Sequence, residues 1–213
     1  MQLGNETDTL DRLGVSRETI AALDSFASRL ENWSKTINLI APGTVGDIWQ
    51  RHIIDSAQIF AIENPPPSTW CDLGSGGGLP GIVVAILCKQ LSPHTKVSMI
   101  ESDARKAAFL KLTIKEFDLN ATVEVSRLER TAPQNAEIVS ARALAPLPLL
   151  LGFVHRHIAP GGHALLPKGK NCVSEVEHSL LSWHFDYTTH PSVVDRDSSI
   201  LKISNLKPRA ERV

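Results

Sequence analysis

Cysteine is scarce in this chain. Its 213 residues hold three, Cys71, Cys88 and Cys172. None forms a Cys-x-x-Cys pair. An odd, widely spaced set reads as reduced thiols of a cytoplasmic protein rather than as a disulfide framework. Long apolar runs are missing too: none approaches the roughly 20 residues a membrane helix needs, so no membrane partner is expected. The first eleven residues are polar and acidic, unlike a secretory leader. Charge of one sign is also lacking. The formal net charge is −1, so any nucleic-acid contact must come from local basic residues. No Ser-His-Asp or Cys-His constellation stands out, and His155 and His157 lack the carboxylate or cysteine company of a metal site. No metal ligand and no proton-transfer residue is therefore nominated. A hydrophobic content of 42% is ordinary for a chain that buries a core, and the length suits one large domain or a domain with an extension.

Against those absences, one stretch is dense in signal. Residues 69–81 read Thr-Trp-Cys-Asp-Leu-Gly-Ser-Gly-Gly-Gly-Leu-Pro-Gly. A short apolar run precedes four glycines in five residues, and an apolar run of helical length follows. The unit is strand, glycine loop, helix, in which backbone N–H groups can approach a ligand closely. Two cofactor classes use it. Gly76, Gly78 and Gly81 fit the dinucleotide fingerprint, with Glu101 downstream as a ribose acid. Asp72, two residues before Gly74, instead makes the Asp-x-Gly-x-Gly-x-Gly pattern of S-adenosylmethionine (SAM) methyltransferases. A carboxylate at a strand tip suits a cofactor with a sulfonium and an ammonium group and suits a pyrophosphate poorly. The methyltransferase reading is favoured, with an NAD-dependent oxidoreductase as the alternative.

The rest of the chain supplies the frame. Apolar residues at Ile20, Leu23, Phe26, Leu30, Trp33 and Ile37 recur at steps of three and four, predicting an amphipathic helix over 15–37 with Ser16 as its N-cap. Pro42 and Gly43 end it. Asp47 is the expected cap of a second helix that turns Ile48, Trp49, Ile53, Ala57 and Phe60 inward. Pro65, Pro66 and Pro67 close this N-terminal helical extension, residues 1–67, and residues 68–213 form the second unit. There, strands over 96–100, 121–125, 137–141 and 163–166 alternate with helices over 104–117, 146–158 and 173–183, and 185–189 and 200–204 are two closing strands. This predicts an α/β Rossmann-like fold with a mostly parallel, doubly wound, seven-stranded sheet. Ligands in such sheets sit beyond the carboxyl ends of the strands, which gathers Asp72, Glu101, Arg127, Arg142 and Lys168 on one rim.

Several segments, in order, carry a specific resemblance: Asn38-Leu39-Ile40, Arg51-His52-Ile53-Ile54-Asp55-Ser56, the loop from Asp72 to Gly81, Ser140 with Arg142-Ala143, and Pro167-Lys168-Gly169. The chain resembles the RsmG family, formerly GidB, bacterial class I SAM-dependent methyltransferases that modify guanine N7 in 16S ribosomal RNA. The Gly-Leu-Pro-Gly ending and the Arg-His-x-x-Asp-Ser segment are more specific than the glycines alone. The resemblance implies that Gly74, Leu79, the pair Leu128-Glu129, and Arg142 contact SAM, and that the partner is 16S rRNA or the small ribosomal subunit.

Each residue also has a plainer reading. Asp72 could orient the methionine ammonium or simply cap backbone N–H groups. Glu101 suits the ribose hydroxyls or a helix start. Gly76 and Gly78 are assigned to close cofactor approach. Arg142 could hold an oxyanion or a structural carboxylate. Lys168, Lys170 and Arg51 are nominated for RNA phosphate, the lysines as exposed turn residues. His52 and Asp55 are expected to pair with each other, and Glu175 to lie on a solvated helix face. Guanine N7 bears a lone pair and no proton, which agrees with the lack of a general base. A non-catalytic RNA-binding module is the further alternative, and a monomer is the favoured state.

Overall fold

A computed structural model describes residues 8–63 and 66–209. The start of the acidic N-terminus, Pro65 and the end of the basic C-terminal tail lie outside it.

The first elements are helical: α1 (Asp8–Arg12) and α2 (Arg17–Ser34), the latter capped by the Ser16 side chain on the Thr19 N–H. A 3-10 turn at Pro42–Asp47 replaces the simple break expected at Pro42. Asp47 ends that turn rather than capping a helix. The chain then continues through a π-helical turn, Trp49–Ile54, into α3 (Asp55–Ala61). Next come β1 (Thr69–Leu73), α4 (Gly81–Leu91), β2 (Lys96–Ile100), α5 (Ala104–Phe117), β3 (Ala121–Glu124) and β4 (Ala136–Ser140). They are followed by α6 (Leu147–His157), β5 (Ile158–Lys168), α7 (Cys172–Ser179), β6 (Trp183–Pro191) and β7 (Ser199–Pro208).

The strands form one seven-stranded sheet in the order β3-β2-β1-β4-β5-β7-β6. The first five are parallel, and β7 runs antiparallel to both neighbours. Strand order reverses between β2-β1 and β4, which opens a crevice at the carboxyl ends of β1 and β4. Strand periodicity of two then sorts side chains to the two faces. Trp70, Ile138, Leu165 and Ile200 pack with α2, α3, α4 and α5. Cys71, Val139, Ala164, Leu166 and Leu201 pack with α6 and α7. The helices before β1 make no core of their own: Leu23, Phe26, Leu30, Ile53 and Phe60 join the cluster that α4 and α5 build on the sheet. Each cysteine is buried and unpaired, and burial pushes the thiols of Cys71 and Cys88 up to about 12, so both stay protonated and inert.

Candidate functional site

The glycine loop after β1 is held from below by a buried carboxylate. Asp72 is 1% exposed. Its register partner across β1–β4 is Ser140, whose hydroxyl donates to Asp72 Oδ1 at 2.8 Å, while the Gly81 N–H donates to Oδ2 at 3.2 Å. Ser140 Oγ in turn accepts from Trp70 Nε1 at 2.9 Å. Burial raises the Asp72 carboxyl to about 6 against the hydrogen bonds that favour its anion. Asp72 therefore ties the start of α4 to the ends of β1 and β4. Ser140 lay in a segment that carries the resemblance but had no role assigned to it, because only the parallel register brings it opposite Asp72.

Glu101, at the tip of β2, holds the same loop from the side. It is 8% exposed. The Gly76 N–H donates to its Oε2 at 2.8 Å and the Asp103 N–H to its Oε1 at 2.7 Å. Each oxygen keeps acceptor capacity, since a carboxylate has about four lone-pair sites.

The glycines divide by what surrounds them. At Gly78 (φ +83°) a Cβ would lie 2.4 Å from Ile82 Cγ1 and 3.0 Å from Leu110 Cδ2, and at Gly74 (φ +64°) 2.5 Å from Leu144 Cδ1. At Gly76 (φ +52°) a Cβ would meet nothing nearer than the Gly74 carbonyl at 3.8 Å. Gly78 is thus needed for packing as well as for backbone conformation, whereas Gly76 borders open space beside Glu101. A bulky cofactor fits that arrangement: a loop with no side chain at Gly76, a carboxylate beside it with lone pairs to spare, and open space next to both. Leu79 is buried in the helix-side core.

On the other side of the crevice Arg142 follows β4. Its NH1 donates to Asp55 Oδ2 at 3.0 Å and to the Arg51 carbonyl at 3.1 Å, and its NH2 lies 3.0 Å from His52 Nδ1. The guanidinium can only donate, so Nδ1 accepts and the imidazole proton sits on Nε2, 2.8 Å from Thr44 Oγ1. Burial, then Arg142 and Arg51, lower His52 to about 4. Burial raises Asp55 more than Arg142 lowers it. His52 and Asp55 are therefore not a pair, as their spacing suggested; each holds Arg142. The π-helical turn presents its Arg51 carbonyl and His52 ring, and the first residue of α3 its Asp55 carboxylate, to one guanidinium. Arg51's own side chain is exposed.

Leu128 is buried against β1 and β2 in the second cluster, and Glu129 is exposed. The loop that carries them is anchored by α6. His157 Nε2 lies 3.1 Å from the Leu128 carbonyl, and Arg156 donates twice to the Thr131 carbonyl. The sequence offered His157 only as a weak metal signal.

Lys168 corrects an expectation. Its side chain is 9% exposed, and its Nζ sits 2.8 Å from Glu175 Oε2. Glu175 also accepts the Leu147 N–H, at 2.9 Å, on that same Oε2, so it is not a solvated helix-face acid. The reason is the short connection: β5 ends at Lys168 and the first turn of α7 brings Glu175 back over it. Lys170 is exposed. Lys168, Glu175, Arg142, Leu144, Pro146 and Pro167 line a cavity of about 620 Å3, within the usual range for small-molecule sites of about 300–1,000 Å3.

A glycine loop after β1, an acid at the end of β2 and this strand order define a SAM-dependent methyltransferase of the Rossmann-like class. The chain is similar in fold to a SAM-dependent methyltransferase from Aquifex aeolicus (TM-score 0.57, 14% identity, covering 80% of this chain and 97% of that one). It is likewise similar to the ribosomal protein L11 methylase of Lactobacillus delbrueckii subsp. bulgaricus (TM-score 0.57, 15% identity, 78% and 83%). In sequence, the family model described as rRNA small subunit methyltransferase G matches residues 19–202, and the chain belongs to that family. Proteins named ribosomal RNA small subunit methyltransferase G are 46% identical over 193 residues in Cereibacter sphaeroides (91% of this chain, 93% of that one). One in Rhizobium rhizogenes is 43% identical over 206 residues (94% and 98%).

Proposed function

We propose that the protein transfers a methyl group from SAM to N7 of a guanine in the 16S RNA of the small ribosomal subunit. Family membership across residues 19–202 carries this reading, and the fit of the β1–β2 crevice to the cofactor supports it. Gly74, Gly76, Gly78 and Leu79 form the cofactor loop, Asp72 braces it and Glu101 takes the ribose hydroxyls. Leu128 and Glu129 flank the adenine, and Arg142 faces the methionine end. When bound, SAM supplies an electrophilic methyl group. The residues around it position and desolvate, because N7 offers its lone pair with no proton to remove, and orientation alone can supply much of the rate. Arg51 and Lys170 meet RNA phosphate at the rim, and Lys168, paired with Glu175, contacts the RNA from the cavity beside it. Residues 1–67 form the extension and 68–213 the methyltransferase unit of a cytoplasmic monomer. Among the described residues no helix is long and apolar enough to cross a membrane.

The test is transfer of labelled methyl from SAM to small-subunit RNA, followed by mapping of the modified nucleotide. A labelled guanine N7 is expected. Labelling of protein but not RNA, or tighter binding of NADH than of SAM, would overturn the reading.

A further inference from the structure

The cavity between the ends of β4 and β5 and the starts of α6 and α7 has a polar edge whose pattern can be read. Lys168 Nζ and the Glu175 carboxylate lie side by side at 2.8 Å, so the wall offers a donor next to an acceptor. Both of Glu175's partners, Lys168 and the Leu147 N–H, sit on Oε2. Among the described residues none sits on Oε1, and the side chain is 29% exposed. The rest of the lining joins the aliphatic Leu144, Pro146 and Pro167 to the Arg142–Asp55 ion pair and Ser198. At the other end Leu144 meets the glycine loop, where a Cβ on Gly74 would touch it at 2.5 Å.

We infer that this cavity receives the guanine and that Lys168 and Glu175 select it by its Watson–Crick edge; the inference rests on the methyl-transfer reading above. An extruded base is read by hydrogen bonds to that edge and by apolar contact with its faces. Guanine presents an acceptor, O6, beside two donors, N1–H and N2–H. The ammonium meets O6 and the free carboxylate oxygen meets the donors. Adenine and cytosine put a lone pair where N1–H would be and a donor where O6 would be, so each would face the carboxylate and the ammonium with the wrong group. Uracil matches O6 and N1–H in kind but lacks the amino donor. The cation–acid pair, neutral as a whole, suits a neutral base better than a phosphate. N7 lies on the guanine's other edge, beyond O6, and is left uncovered by these two residues. Glu175 and Lys168 are thus assigned as specificity residues, and the cavity as the acceptor subsite.

The test compares the parent with Glu175→Gln. Glutamine keeps an oxygen for Lys168 and the Leu147 N–H and replaces Oε1 with an amide N–H, a mismatch for the guanine donors. Methyl transfer to small-subunit RNA should fall about 10- to 100-fold in kcat/KM, the usual weight of a paired base contact. SAM affinity should stay at the parent value, while the thermal midpoint falls because Lys168 loses its anion and the variant remains folded at the assay temperature. RNA carrying inosine at the target, which lacks only the amino group, should be a poorer substrate for the parent, and the gap between inosine and guanine should shrink in the variant. Parent-like transfer by Glu175→Gln, or an inosine-to-guanine ratio unchanged between the two proteins, overturns the inference while leaving the methyl-transfer reading intact. Loss of SAM binding in the variant also overturns it, by placing the cavity with the cofactor. A parent that labels no small-subunit RNA overturns the reading itself and the inference with it.

Discussion

On the β1–β2 half of the ligand rim the acidic side chains hold backbone: Asp72 takes the Gly81 N–H and Glu101 those of Gly76 and Asp103. On the β4–β5 half the acids hold cations, Asp55 with Arg142 and Glu175 with Lys168. On the first half Asp72 is used up inside the protein, and Glu101 keeps acceptor capacity beside open space. The second is neutral pair by pair, and its specificity lies in which donor sits beside which acceptor. On the roles proposed above, a charged cofactor is recognised by field and a neutral base by pattern, along a rim of four adjacent strands, β2, β1, β4 and β5.

The comparison breaks hardest where the loop is both conformation and packing. Gly78→Val adds a side chain against Ile82 and Leu110 at φ +83° and is expected to cost more than about 3 kcal/mol, seen in urea unfolding. Gly76→Ala, with open space around it, should cost only about 1–2 kcal/mol and lose its effect mainly in SAM affinity. Equal destabilisation by the two would show that Gly76 is a packing glycine as well.

Next comes the guanidinium. Arg142→Lys cannot reach Asp55, the Arg51 carbonyl and His52 together, and should destabilise by about 2–3 kcal/mol at pH 7 by stranding a half-buried carboxylate. Stability equal to the parent in denaturant titration would show that the three partners do not depend on Arg142.

Of similar size is a pair of opposed pH effects. Asp72 has its folded pKa raised to about 6, so the stability it gives is full below its unfolded pKa and is lost as pH rises through 6. His52 has its folded pKa lowered to about 4, so its contribution is full above the ordinary histidine pKa and is lost as pH falls toward 4. Asp72→Asn should remove a decline of about 2–3 kcal/mol between pH 4 and 7. His52→Gln should remove a rise across the same interval. The two difference curves, variant against parent, must tilt in opposite directions; curves that tilt together would refute one of the burial assignments.

The smallest effect expected is at the rim. Lys170→Ala removes an exposed cation and should leave stability within about 0.5 kcal/mol, while the log-affinity versus log-salt slope for RNA becomes shallower by about 0.7–0.9. An unchanged slope would remove Lys170 from the RNA contact.

Much of this frame was legible because its causes are local. The glycine loop, the strand before it and the helix after it follow from backbone freedom and apolar runs within a dozen residues. The sequence bounds for β2 and α5 coincide with the observed elements. Three strands proved longer than their apolar runs: β5 begins at Ile158 and passes through Pro160-Gly161-Gly162, which reads as a turn and lies at a register shift against β4, between the pairs Ala136–Ile158 and Ile138–His163. The π-helical turn at Trp49–Ile54 was hidden because its composition is that of any amphipathic helix. The cofactor side of the site lay within motifs, and so did Asp55, but neither its pairing with Arg142 nor that of Glu175 with Lys168 was legible there. Asp55 lies 87 residues before Arg142, and Glu175 lies on the next helix after Lys168. Such pairings are made by tertiary structure; in sequence Asp55 looked like a partner for His52 and Glu175 like ordinary surface.

The shared core also sets an order of events during synthesis. Leu23, Phe26 and Leu30 of α2 are covered by α4 and α5, which follow some fifty to ninety residues later in the chain. When α2 leaves the ribosome, α4 and α5 are still to come, and the π-helical turn at Trp49–Ile54 is a nearer partner for its apolar stripe. Closing so long a loop is slow relative to helix formation, so the stripe stays only partly covered until α5 has emerged. Over that interval the nascent N-terminus is a ready substrate for holding chaperones. Truncating the extension would in turn leave the finished sheet with the same uncovered surface from the other side.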